Sequence, residues 1–486
     1  MEETSNMIRR FFRDSAIYTI PSILSNGISF FLIPLYTRVL SPSDYGALDM
    51  ITVFGSLIAV TVALEISQAF SRFYRDEKTD EGKKVLASTA LWFTILMFSG
   101  FLIVTLAFAQ ELSLIVIGVP GLDDIFRLGV IFIWMNGLFY LLRNQLRFEL
   151  HSKAYSIVSI VQSLTTAGAS VLLTYVFHFG IYGFLAGMII GTATGTSIGF
   201  YYLKTTFQLR FDLTKLKTML AFSIPLVPSS IAVFTNMYID RLMINCYLSL
   251  KEVGLYGMSY RLANISTLVL VGFQTALIPL VYKHYQEPET PNQLATIFRA
   301  FLSIMIMIFL ILSLFADVAL WILTTPEYYA ADQMVVFLVP AILLSQMYIF
   351  APGIGISKKT YLYIWINVAG AILNILFNWL LIPQIGPIGA GIATLIGSAF
   401  VFGAYMYYSQ KFYYVPHDWE AIASVVLVAV ALVIIGLHIH LELYINLFIR
   451  GCLILLMLGV FLFFGILKWK EIVHVRNLVP ARWSQR

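Results

Sequence analysis

Four residues near position 140 share one face of an apolar segment and together could bind an anionic ligand. Asn136, Tyr140, Arg143 and Arg147 are spaced i, i+4, i+7 and i+11, which places them on the same side of an α-helix. A guanidinium group donates two parallel hydrogen bonds to phosphate oxygens, and amide and phenol groups bond to hydroxyls. The alternative is that both arginines anchor the helix by extending their head groups to a polar interface.

A second candidate position is Arg261, with Asn264 one helical turn further on. At 1.5 Å per residue, Arg261 lies about 12 Å from the outer end of its apolar segment. An arginine at that depth normally faces protein or water, which favours a place in the lining of a polar cavity over a buried structural pair. Arg38, at the end of the first apolar segment, is a weaker candidate on the exit side.

Acidic and metal-ligating residues give weaker evidence for a functional site. Glu65 could carry a coupling proton, although an inert ion pair is the better expectation. Adjacent Asp240 and Arg241 point to different helix faces and favour a structural role. Cys246 and Cys452 match no metal or redox spacing. We therefore predict no catalytic residue, no metal and no cofactor.

The elements that carry these residues must lie in a membrane. Hydrophobic residues make up 59% of the chain and charged residues 12%, whereas charged residues are about 25% of a typical soluble domain. Segments of about 20 apolar residues span a bilayer, and only helices or closed barrels satisfy their backbone there. The sequence predicts an all-α polytopic protein with fourteen spans, at 17–37, 47–70, 85–109, 125–147, 154–177, 181–203, 218–246, 253–281, 294–323, 331–356, 360–382, 387–409, 420–438 and 444–467.

The distribution of basic residues gives the orientation. With the N-terminus inside, 25 of the 31 lysines and arginines fall in cytoplasmic segments, as the positive-inside bias requires. Both termini are then cytoplasmic. The net charge of +5 follows from this bias and does not indicate a nucleic-acid partner.

An internal repeat is visible near an offset of 206 residues. Residues 180–183 (GIYG) correspond to 386–389 (GPIG), and 40–50 correspond to 248–258 at an offset of 208. The repeat predicts a six-helix bundle at 1–210, a second at 211–412 and a terminal two-helix extension with a tail at 413–486. Glycines recur at every fourth position of the sixth span, a pattern typical of close helix packing: Gly183, Gly187, Gly191, Gly195 and Gly199.

Four motifs resemble the polysaccharide-transporter branch of the multidrug/oligosaccharidyl-lipid/polysaccharide exporter superfamily, which contains the O-antigen-type flippases. They are residues 33–46 (IPLYTRVLSPSDYG), 239–242 (IDRL), 253–262 (VGLYGMSYRL) and 386–394 (GPIGAGIAT). The resemblance covers about residues 15–410. It implies a V-shaped pair of bundles in the bacterial inner membrane, alternating access, and undecaprenyl-pyrophosphate-linked oligosaccharide as cargo. It also implies membrane lipids and the polysaccharide polymerase machinery as partners.

Three other functions remain open from the sequence. A cation-coupled multidrug antiporter needs acids deep in its cavity, whereas most deep charges here are arginines. A membrane glycosyltransferase or polysaccharide polymerase usually carries catalytic residues on a long outer loop, and the predicted outer loops are short. A passive assembly protein is disfavoured only by the polar face at 136–147. We expect a transporter rather than an enzyme.

Overall fold

The computed structural model describes residues 24–466 except 26, 29, 268–276, 278–280 and 440. Every regular element in these ranges is helical. Twelve helices among the described residues are long and apolar enough to cross a membrane, and they coincide with twelve of the predicted spans. The other two spans, 17–37 and 253–281, include residues outside the described ranges. The predicted all-α, multi-span class is confirmed.

The helices divide by their contacts into two compact units, of which the first comprises the described residues up to Gly257 together with Ile322–Tyr328. Its helices are α1 (Ile33–Tyr36), α2 (Pro42–Thr61), α3 (Ile66–Tyr74), α4 (Asp80–Ala107), α5 (Ala109–Val116), α6 (Asp123–Phe148), α7 (Ser152–Val171), α8 (Gly180–Leu203), α9 (Leu213–Ser223), α10 (Val227–Tyr247) and the first part of α11 (Leu250–Ala263).

The second unit comprises Met258–Trp321 and the chain from Tyr329 onward. After the end of α11 it contains α12 (Thr290–Leu314), α13 (Ala316–Leu323), α14 (Asp332–Gln346), α15 (Gly353–Ile356), α16 (Tyr361–Ile385), α17 (Pro387–Phe412), α18 (Trp419–His438) and α19 (Leu443–Phe463). The last two residues of α13 belong to the first unit. Short turns of other helix types lie at Leu172–Val176, Ile224–Leu226, Asn264–Ser266, Pro326–Ala331 and Met347–Phe350. The boundaries predicted at 210 and 412 come from the sequence repeat, whereas the two units are defined by helix contacts. The contacts do not test these boundaries, which stay a prediction.

Local sequence signals set several helix starts. Ser41 and Asp44 form a reciprocal capping box at the start of α2, with Pro42 in the first turn. Thr79 accepts a hydrogen bond from the Gly82 amide at the start of α4. Asp212 caps α9. Each cap satisfies backbone N–H groups that a helix start leaves without a partner.

The glycine stripe on α8 lets this helix pack directly on the end of α7. A Cβ at Gly183 would lie 2.7 Å from the Leu173 carbonyl carbon, and one at Gly187 or Gly191 would overlap with Ser170 or Thr166. Side chains larger than glycine would therefore force the two helices apart. The stripe serves packing along most of its length.

The predicted span 47–70 is broken, which corrects the expectation of one continuous helix. α2 ends at Thr61 and α3 begins at Ile66. Between them Leu64 and Glu65 have left-handed backbone conformations, with φ of 48° and 54°. Such conformations cost non-glycine residues on the order of 1–3 kcal/mol each, so the surrounding packing must hold the break.

The segment between α8 and α9 is bonded to the start of α4. The amides of Gln208 and Asp212 donate to the Ser88 and Thr89 hydroxyls over 2.8 and 3.1 Å. Arg210 pairs with Glu81 at 2.7 Å, and Lys215 pairs with Glu77. We call this set of contacts, made by residues 208–215, the linker clasp.

Candidate polar site

The polar face of α6 forms as the spacing predicts, and its accessibility changes along the helix. Asn136 is exposed, Tyr140 is 45% exposed, Arg143 is half-buried and Arg147 is exposed. The intervening residues of this part of α6 are largely buried, for example Leu138 and Leu142. The four side chains thus form one polar stripe on an otherwise packed helix.

Asn136 and Tyr140 line a small cavity of about 60 Å³ inside the first unit. Its other polar lining groups are Ser67 and Thr94. Ala63 and Ile66 also line it, so the break between α2 and α3 forms part of the cavity wall. A water molecule needs roughly 10–15 Å³ of such space, so the cavity has room for a few small molecules such as water. It is too small for a sugar ring.

The two arginines of the stripe make no ion pair within the described ranges. The Arg143 guanidinium carbon lies 5.6 Å from the centre of the Phe139 ring, and its Nε is buried with no hydrogen-bond partner among the described atoms. The Arg147 guanidinium lies 5.0 Å from the Phe148 ring. These aromatic contacts hold both guanidinium groups in place without using their N–H donors.

Arg261 and Asn264 lie in the second unit, at the end of α11. Arg261 is half-buried in the last turn of the helix, and Asn264 is exposed at the start of a 3-10 turn. The helix is therefore followed by a tighter turn at this point, and Asn264 lies in that turn rather than in the α-helix. The cavity-lining role of both residues stays a prediction.

Arg38 and Glu65 occupy irregular backbone. Arg38 follows α1 and is exposed. Glu65 is half-buried at the break between α2 and α3. Glu65 forms no ion pair with another described residue, and the expected inert pair stays a prediction. Its predicted role in coupling stays untested.

A buried charge network joins α2 to α10, and sequence reasoning found only part of it. The Arg241 Nε lies 3.6 Å from an Asp49 carboxylate oxygen, and the Tyr256 hydroxyl donates to Asp240 over 2.8 Å. All four residues are at most 8% exposed. The structural role predicted for Asp240 and Arg241 agrees with these contacts. Asp49 was missed, although an acid within an apolar span is itself a signal that a partner is present.

The terminal helices carry another ion pair. The Arg450 guanidinium of α19 lies 2.7 and 2.8 Å from the two carboxylate oxygens of Asp317 in α13. Arg450 is 5% exposed. α18 and α19 also pack on α12. The terminal pair is thus an integral part of the second unit.

Within the described ranges, twelve helices long and apolar enough to cross a membrane and one polar, cationic helix face are features expected of a multi-span membrane transporter. Residues 35–332 match the family described as "Polysaccharide biosynthesis protein", and the chain belongs to this family. This membership agrees with the resemblance of the four motifs to the polysaccharide-transporter branch of the multidrug/oligosaccharidyl-lipid/polysaccharide exporter superfamily.

Full-length relatives agree with this assignment. The chain is 24% identical over 399 residues to the Lsg locus protein 1 of Haemophilus influenzae, covering 78% of this chain and 95% of that protein. It is 22% identical over 452 residues to the probable low-salt glycan biosynthesis flippase Agl15 of Haloferax volcanii, covering 90% and 93%. A solved structure of the lipid II flippase MurJ in an inward closed conformation has the same fold, with a TM-score of 0.73, 14% identity, and coverage of 96% of this chain and 100% of that one.

Proposed function

We propose that this protein moves undecaprenyl-pyrophosphate-linked oligosaccharide from the inner to the outer leaflet of a bacterial cytoplasmic membrane, for the synthesis of a cell-surface polysaccharide. Both termini are cytoplasmic in this proposal. The reaction is transport by alternating access, with no bond made or broken. Membership of the polysaccharide biosynthesis family supports the cargo class.

The observation that carries the proposal is the cationic stripe on α6. Arg143 and Arg147 have no ion-pair partner in the described part of the first unit and are held by Phe139 and Phe148. A pyrophosphate offers the oxygens that two such guanidinium groups bind. Asn136 and Tyr140 continue the stripe with neutral hydrogen-bonding groups, which suit sugar hydroxyls. The proposal assigns Arg261 and Asn264, in the second unit, to the same cargo.

A polar surface is necessary because the cargo head group is strongly hydrated. Each hydroxyl taken into hydrocarbon without a hydrogen bond costs roughly several kcal/mol, and a charged phosphate costs far more. The membrane potential assists, since moving one negative charge outward gains about 2.3 kcal/mol per 100 mV. Charged side chains spread along a path would bind the pyrophosphate without trapping it.

The buried acids favour this cargo over the cations of a multidrug antiporter. Asp49 is paired with Arg241, and Asp240 accepts a hydrogen bond from Tyr256. These carboxylates therefore have partners within the protein, whereas the stripe on α6 presents arginines. Anionic cargo matches the groups that are open to a ligand.

The test is a deletion strain of the source organism in which lipid-linked sugar is assigned to one leaflet. We expect an undecaprenyl-linked oligosaccharide to accumulate on the inner leaflet, and the wild-type gene to restore export. Normal surface polysaccharide without accumulation, or accumulation on the outer leaflet, would contradict the proposal. Sensitivity to cationic drugs without any change in polysaccharide would favour the antiporter instead.

A further inference from the structure

A groove of about 590 Å³ lies on the second unit where α17 ends and α18 begins. Six of its lining residues come from one face of α17, and Trp419 is the first residue of α18. The α17 residues are Phe402, Gly403, Met406, Tyr407, Gln410 and Lys411. The groove is accessible, because Tyr407 is 68% and Trp419 46% exposed.

The two ends of the groove lie at different depths in the membrane. α17 has 26 residues and is about 39 Å long, which exceeds the roughly 30 Å thickness of the hydrocarbon layer. The last turn of α17, with Gln410 and Lys411, therefore reaches the lipid headgroups. Trp419 lies at the start of the next span, a position typical of tryptophan at the membrane interface. Phe402 lies about 14 Å deeper than Lys411 along the helix.

The deep end of the groove is apolar and open. A Cβ at Gly403 would meet no heavy atom within 4 Å among the described residues. Phe402 and Met406 also line the groove next to this position. A flexible hydrocarbon chain fits such a surface, since it gains contact area without needing polar partners.

The shallow end presents hydrogen-bond donors. Among the described residues Lys411 forms no ion pair, and the Trp419 indole N–H has no hydrogen-bond partner. The Gln410 side-chain oxygen accepts the Val415 amide over 2.9 Å, which leaves the amide nitrogen of Gln410 as a donor. Two acids flank Trp419. Asp418 is bonded to the Ala421 amide, whereas the exposed Glu420 side chain makes no ion pair in the described ranges.

We propose that this groove binds one anionic glycerophospholipid, with its phosphate at Lys411, Gln410 and Trp419 and one acyl chain along Met406, Gly403 and Phe402. An apolar channel that ends at a group of donors has the same polarity pattern as such a lipid. Because Lys411 forms no ion pair among the described residues, its charge favours an anionic over a zwitterionic headgroup. The basic-residue distribution predicts that this end of α17 is cytoplasmic, the leaflet that carries anionic lipid.

Native mass spectrometry of the full-length protein tests the assignment, with phosphatidylglycerol and phosphatidylcholine of identical chains as probes. We expect one phosphatidylglycerol to bind more tightly than any phosphatidylcholine. Lys411→Gln should weaken that binding about fivefold, the factor that corresponds to about 1 kcal/mol for one lysine at an anionic surface. Lys411→Arg should retain it. Lys251→Gln, which removes an exposed lysine from α11, is the matched control.

A second pair of variants probes the acyl-chain part without changing any charge. Gly403→Leu should block phosphatidylglycerol binding by filling the deep end of the groove. Gly451→Leu, at a position of α19 that is equally open, should not. Equal binding of the two phospholipids, or unchanged binding in both Lys411→Gln and Gly403→Leu, would overturn the proposal. Preferential binding of undecaprenyl phosphate at Lys411 would also overturn it and assign the groove to the cargo.

Discussion

Gly46 of α2 and Gly254 of α11 make reciprocal contacts. A Cβ at Gly46 would overlap the Leu250 carbonyl oxygen, and a Cβ at Gly254 would overlap the Pro42 carbonyl oxygen. The two glycines are 208 residues apart, as are Ser41 and Ser249, which cap the two helices. Related segments packed about a two-fold axis make the same contact twice in this way, while the internal repeat itself stays a prediction.

Substitution of either glycine should destabilise the first unit. We expect Gly46→Ala and Gly254→Ala each to cost about 1–3 kcal/mol, because the added methyl group meets backbone that cannot rotate away. The melting temperature of the purified protein in detergent measures the effect. Gly100→Ala is the control, since a Cβ there meets no described atom within 4 Å. Equal melting temperatures for all three variants would show that the close contact is not required.

The arginines of the α6 stripe should be needed for transport and not for folding. Arg143→Ala should lower polysaccharide export about tenfold to a hundredfold at normal membrane abundance, since a hydrogen bond to a charged group contributes about 1.5–3 kcal/mol. Arg143→Lys should recover part of the activity. Arg127→Ala is the matched control, because Arg127 lies on the same helix and pairs with Asp123 and Asp124. Normal export by Arg143→Ala and Arg147→Ala would make the stripe structural.

The Asp49–Arg241 pair should show strong energetic coupling. Asp49→Asn or Arg241→Met alone leaves a buried charge without its partner, at a cost of about 3–5 kcal/mol. The double variant removes both charges and should regain much of that loss. A double-mutant cycle on thermal unfolding gives the coupling energy. Additive effects of the two single variants would contradict the pairing.

Acid should destabilise the segment between α17 and α18. Burial and the nearby Arg299 charge lower the pKa of His417 to about 4 from its usual 6.5, and both ring nitrogens lack hydrogen-bond partners among the described residues. Below about pH 6.5 the His417 side chain binds a proton in the unfolded chain, whereas in the folded protein it stays neutral until the pH falls to about 4. Stability is therefore present above that pH and is lost as the pH falls toward 4. His417→Gln should flatten the dependence of melting temperature on pH in this window, and an unchanged slope would exclude His417 as its source.

Cysteine labelling in intact cells tests the orientation. Cys246 and Cys452, both exposed, are first replaced by alanine. An impermeant thiol reagent should then label a cysteine at Val119, in a predicted outer loop, and leave one at Lys78 protected. Both positions are exposed, and using Lys78 leaves intact the neighbouring Thr79 that caps α4. The opposite labelling pattern would reverse the topology.

The membrane-spanning helices were predictable because length and apolar content alone define them, and the α8 stripe because every fourth residue is glycine. The break at Leu64 and Glu65 was not, since neither glycine nor proline is present there and tertiary packing alone selects the left-handed backbone. The pairing of Asp49 with Arg241 joins residues 192 positions apart. Local sequence patterns carry no information at that separation. The stripe on α6 was predicted from spacing, whereas the small cavity beside Asn136 depends on how four helices pack.

The linker clasp means that residues 208–215 cannot behave as a tether between two independently moving bundles. Backbone amides in this segment are bonded to Ser88 and Thr89 of α4, so α9, at the start of the second predicted repeat, is anchored to a helix of the first. A protease would have to detach this segment before it could cut there. Two fragments divided at residue 210 and expressed separately would also lose the chain connection that brings Arg210 to Glu81 and Lys215 to Glu77. The repeat unit predicted from the sequence, which ends at residue 210, and the compact unit defined by contacts, which extends to Gly257, are thus different segments of the chain.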